Sequence, residues 1–93
     1  MFKLLSFKST SSSEVKEVFR RLPEQYKLLI TNSEIKFILE ASKTYHELLE
    51  KPEGNITAFL NEMQYIKSEA SKKRSNISKE AIEAILSAYK VAA

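Results

Sequence analysis

Ninety-three residues supply one domain's worth of chain, and 15 Lys+Arg against 12 Asp+Glu leave a net charge of +3. That excess is too small to mark a nucleic-acid binder by itself, while an apolar share of 43% provides for a core and argues against wholesale disorder. The absence of Cys excludes a disulfide scaffold, a thiolate metal site and a cysteine nucleophile together, and one Gly with two Pro disfavours a turn-rich β architecture.

Residues 1–12 read as a tail of two characters, with Phe2, Leu4, Leu5 and Phe7 followed by the polar run Ser9 to Ser13. No apolar run in Met1 to Lys8 exceeds two residues, so no signal peptide is expected. No stretch approaches the ~20 apolar residues of a spanning helix. The expected location is cytoplasmic, with at most a peripheral contact at the inner face of the membrane. Ser11-x-x-Glu14 fits a capping box at the start of the first helix.

That helix is expected over about 13–30, on a stripe of Val15, Val18, Phe19, Leu22, Tyr26 and Leu29. Pro23 falls inside it, and because the stripe continues in phase the expectation is one kinked helix. Thr31-Asn32-Ser33 stops it and caps a second helix over about 33–50. Ile35, Ile38, Leu39, Ser42, Tyr45 and Leu49 form its main stripe, opposite Lys36, Glu40, Lys43 and Glu47. A second apolar line, Phe37–Ala41–Leu48, needs cover, either from the apolar tail or from a second copy of the chain.

Lys51-Pro52-Glu53-Gly54-Asn55 is the clearest break. The third helix, over about 55–73, uses Ile56, Phe59, Leu60, Met63, Ile66 and Ala70. Tyr65 lies opposite that stripe, among Ala58, Asn61, Glu62 and Glu69, as an exposed aromatic: an ordinary surface residue or an interaction anchor. The fourth helix, over about 78–91, starts at Ser78 with Ile77 and Ile82 as a hydrophobic staple. Its stripe is Ile82, Ile85, Leu86 and Tyr89, widened by Ala81, Ala84 and Ala88. The expected fold is all-α: a single antiparallel four-helix bundle domain with a short apolar N-terminal tail.

Little chemistry is legible. His46 is the sole histidine and lies beside an apolar stripe near a helix C-terminus, which suits a half-buried structural role. The chain has no Asp, and its carboxylates share faces with lysines. No catalytic residue, metal ligand or cofactor site is expected. Lys67, Lys72, Lys73, Arg74 and Lys79 gather around the turn between the third and fourth helices. They are either a solvated helix end or an electrostatic contact with phosphate, anionic lipid headgroups or an acidic surface. A small regulatory or nucleic-acid-binding protein is the alternative reading, although Glu80 and Glu83 on the fourth helix repel phosphate.

From Ile56 onward the chain resembles the immunity proteins that protect producers of pediocin-like bacteriocins. The residues that carry the likeness are Ile56-x-x-Phe59-Leu60-x-x-Met63, Ala70-Ser71-Lys72-Lys73, and Ile77-Ser78 leading into Ile82-x-x-Ile85-Leu86. Upstream, Leu4-Leu5-Ser6-Phe7 and Tyr45-x-x-Leu48-Leu49 add to it. The resemblance implies a non-enzymatic cytosolic four-helix bundle that binds the bacteriocin-engaged mannose phosphotransferase permease from the inner side and blocks the lethal leak. It attributes specificity to the C-terminal half, here Lys72, Lys73 and the stretch from Tyr89 to Ala93, which is shorter than in several members. With the residue-level reading, the partner-binding candidates are Tyr65, Lys67, Lys72, Lys73, Arg74, Lys79, Tyr89 and Lys90, on a monomer or weak dimer.

Overall fold

The computed structural model describes residues 10–49 and 56–92. The Phe2/Leu4/Leu5/Phe7 tail and the 51–55 break lie outside them. The described residues are all-helical, in the order α1 (Ser12–Arg21), α2 (Glu24–Lys27), α3 (Asn32–Leu48), α4 (Ile56–Lys72) and α5 (Lys79–Ala92).

The Ser11/Glu14 capping box is present: the Glu14 amide donates to Ser11 Oγ at 3.2 Å, and the Ser11 amide donates to Glu14 Oε1 at 3.1 Å. One kinked helix over 13–30 is not. Residues before a proline are pushed out of the helical region by its Cδ. Leu22 accordingly takes φ −68°, ψ 147°, Pro23 follows with ψ 146°, and two extended residues in succession reset the helical phase. Leu29 therefore leaves the stripe and stands 75% exposed, Leu28 beside it 92%, and Ile30 takes the buried place instead.

A second capping box, Thr31 with Glu34, starts α3, so the Thr31-Asn32-Ser33 stretch caps the helix as expected, with Thr31 as the capping residue. Helix α3 packs against α1, α4 and α5, and it shares the centre with α5, which packs against α1, α3 and α4. That position explains its wide apolar surface: Ile35, Ile38, Leu39, Ala41, Ser42 and Thr44 are all buried. On its second line Ala41 is fully buried, Phe37 packs half-buried against the core and Leu48 is half exposed.

Helix α4 is turned about its axis relative to the expected stripe. Glu62, Met63, Ile66 and Ala70 are buried, Phe59 packs partly against the core, and Leu60 is 50% exposed. At 100° per residue the expected stripe centres near Met63, and the buried arc lies roughly 40° from it, between Met63 and Ile66. Tyr65 is consequently half-buried rather than opposite the core.

The chain leaves α4 through a Schellman motif: the Ser75 amide donates to the Ala70 carbonyl at 2.9 Å and the Arg74 amide to that of Ser71 at 3.0 Å. Arg74 holds the left-handed position of that motif, φ 60°, where glycine is favoured. A left-handed residue with a Cβ costs roughly 1–2 kcal/mol, and glycine's extra unfolded-state freedom offsets part of the relief. Arg74→Gly should therefore raise stability by about 0.5–1 kcal/mol in urea unfolding; a decrease would show that the arginine side chain stabilises the turn. Ser78 then caps α5, accepting from the Ala81 amide at 3.1 Å, with Ile77 and Ile82 both buried as the staple requires.

Candidate functional site

The cations expected at the α4–α5 turn separate into two kinds. Lys72, Lys73, Arg74 and Lys79 are exposed there. Lys72 pairs with Glu69 at 2.9 Å, a contact that raises the lysine's pKa, and Lys73 Nζ sits 4.7 Å from the Phe37 ring centroid. Lys67 is instead a strut: half-buried, its Nζ donates to the Ile77 carbonyl at 2.6 Å and ties α4 to the incoming segment of α5.

Lys73, Ser75 and Ile77 of this turn and Ser33, Glu34, Phe37 and Ile38 of α3 line a cleft of about 240 Å³. Its floor is apolar and its rim carries one cation and one carboxylate. The cleft also fixes the geometry of the molecule: the beginning of α3 lies against the end of α4, so the α1–α3 corner and the α4–α5 turn share one end.

Three further candidates do not join that end. Tyr65 packs against Tyr45, ring centroids 5.4 Å apart, and burial foremost, with the Glu69 charge adding to it, pushes its phenol above the ordinary range. Tyr89 packs partly against the core. Lys90 lies eleven residues beyond Lys79 on α5, roughly 16 Å along the axis.

Lys90 belongs to a cluster that sequence reasoning missed. Glu62, expected on an outer face, is buried with its side chain 2% exposed, and it meets Ser42 Oγ, His46 Nε2 at 3.3 Å and Lys90 Nζ at 3.3 Å. Ser42 and His46 come from α3, Glu62 from α4 and Lys90 from α5, so one carboxylate joins three helices. Lys90 also lies 5.8 Å from the Phe59 ring centroid. His46 is more exposed than expected, 54% at the side chain, with its ring edge-on to Tyr45. The signal was Ser42 itself: a hydroxyl in an apolar stripe needs a buried polar partner. Both Ser42 and His46 face Glu62 Oε2, so the imidazole does not stand between serine and acid as a hydrolytic relay requires. Among the described residues no group of three or more His, Asp or Glu is placed to hold a metal ion.

Across the molecule, Lys43 Nζ reaches Glu14 Oε2 at 3.0 Å and Thr10 Oγ1 at 3.1 Å, fastening the start of α1 to α3. The Ser11 backbone amide foremost, and then Lys43, holds the Glu14 carboxyl below its ordinary pKa of 4.5. A pKa lowered by folding contributes stability above the unfolded value, and that contribution is lost as pH falls through the folded one. Wild type should therefore lose more stability than Glu14→Gln as pH drops from about 5 toward 3. Parallel acid curves for the two proteins would contradict this.

No helix among the described residues is long and apolar enough to cross a membrane. No protein-family model, curated protein or solved structure matches the chain.

Proposed function

We propose that the protein is a bacteriocin immunity protein of the pediocin-like kind. In this reading it is a non-enzymatic four-helix bundle of α1, α3, α4 and α5, with α2 a short turn at one corner. It acts from the cytosolic side on the mannose phosphotransferase permease engaged by its bacteriocin. The observation that carries the proposal is the α4–α5 turn. Lys72 and Lys73, which the resemblance associates with specificity, stand exposed there beside Arg74 and Lys79, on a connection held by the Lys67 strut and the Schellman motif. Duplex nucleic acid suits this end less well, because Glu80 and Glu83 are exposed on the adjoining helix.

Expression in a host sensitive to pediocin-like bacteriocins, challenged with a panel of them, tests the proposal. Protection against at least one is expected. Lys72→Glu with Lys73→Glu should abolish that protection while leaving thermal unfolding nearly unchanged, since both side chains are exposed. Absence of protection against every panel member would defeat the reading.

A further inference from the structure

At the same end as the cationic turn, the α1–α3 corner carries the two most exposed large apolar side chains among the described residues, Leu28 and Leu29. They are held outward by an ordered turn. The amides of Leu29 and Ile30 both donate to the Tyr26 carbonyl at 3.0 Å, with Ile30 buried on one side and Tyr26 packed partly against the core on the other. Turning the leucines inward would unpin both anchors. Leu29 is four residues from Ser33 in the cleft wall, so at most roughly 14 Å separates their Cα atoms. Lys73 forms the opposite wall, with Arg74 next to it. Lys27 directly precedes the leucines in the chain. The carboxylates nearby are already engaged, Glu34 in its capping box and Glu24 on Lys27 at 3.3 Å.

We propose that Leu28 and Leu29 form a prong that enters the acyl layer of an anionic bilayer, while Lys73 and Arg74 meet the headgroup phosphates beside it. Two neighbouring leucines on a tight turn are too small for a stable protein interface, which takes about 800 Å² from each partner. They are enough for insertion, which needs only apolar side chains that leave water and cations that stay at the surface. The inference rests on the proposed function only for which bilayer is meant; the lipid chemistry stands on the corner itself.

Co-sedimentation of the full chain with vesicles is the test. The protein should pellet with phosphatidylglycerol/phosphatidylcholine vesicles at low salt and stay in the supernatant with pure phosphatidylcholine. Leu28→Ser with Leu29→Ser should lower partitioning about 100-fold, roughly ten-fold for each leucine withdrawn from the acyl layer. Lys73→Gln with Arg74→Gln should lower it about 25-fold, near five-fold per charge. Leu28, Leu29, Lys73 and Arg74 are all exposed, so circular dichroism of the variants should match wild type. Failure to pellet with anionic vesicles, or serine variants that pellet like wild type, overturns the proposal. So does a wild-type dimer that the serine variants split in sedimentation velocity, which would make the prong a self-association surface. Vesicle binding without protection from any bacteriocin would defeat the proposed function alone; protection without vesicle binding would defeat the prong alone.

Discussion

Leu86→Ala is expected to remove about 3–5 kcal/mol of folding free energy, and Leu60→Ala less than about 1 kcal/mol. Both truncations delete the same atoms. Leu86 is fully buried in the core shared by α1, α3 and α5, so the deletion forfeits transfer energy and leaves a cavity. Leu60 is half exposed and has little to lose. In a domain of this size the first loss is a large share of total stability and should lower the melting temperature by more than about 12 °C. The comparison separates the observed orientation of α4 from the expected one. If α4 faced the core with Ile56, Leu60 and Met63, Leu60→Ala would cost nearly as much as Leu86→Ala. Equal denaturation midpoints for the two variants would refute the rotation.

The second large effect concerns Glu62. Lys90→Met should destabilise by about 3 kcal/mol, because it removes the cation facing a buried carboxylate and leaves the charge underpaired. Lys90 is itself 44% exposed, which lets water reach part of the site and keeps the loss at the lower end of what such a break costs. Replacing the two buried members of the cluster together with Lys90 should behave differently. With Ser42→Ala and Glu62→Met added to Lys90→Met, no buried polar group is stranded, and apolar side chains of comparable volume occupy the space. Stability should then return to within about 1 kcal/mol of wild type. A triple variant no more stable than Lys90→Met would show that the cost does not come from the stranded carboxylate.

Much of the fold is legible because helix periodicity and capping are local. Val15 and Val18 on α1 with Leu22 just beyond it, Ile35, Ile38 and Leu39 on α3, and Ile82, Ile85 and Leu86 on α5 all reach the core as their spacing predicts. Ser11 and Ser78 cap where their neighbours require it. The failures have specific physical causes. Extrapolating the first stripe through Pro23 assumed that a helical phase survives a proline; it does not when Leu22 and Pro23 both become extended. On α4 Met63, Ile66 and Ala70 reach the core as expected, but placing Glu62 outward counted apolar residues alone, whereas a paired carboxylate can hold a core-facing position. That second error concealed the Ser42–Glu62–Lys90 connection and misplaced Tyr65 together. The cationic turn was readable as composition, but only tertiary contact divides it: Lys67 is spent on a carbonyl, while Lys72, Lys73, Arg74 and Lys79 remain exposed.

The Lys67 strut bears on the thermodynamics of recognition. A lysine chain that clasps the Ile77 carbonyl, next to a helix end closed by two backbone hydrogen bonds, leaves the segment 73–77 few alternative shapes. In the proposed function a partner meets a turn whose backbone is already in position, and the entropy lost on docking is confined to the cationic side chains. Selectivity among closely related partners can then come from where the cations stand, not merely from how many there are.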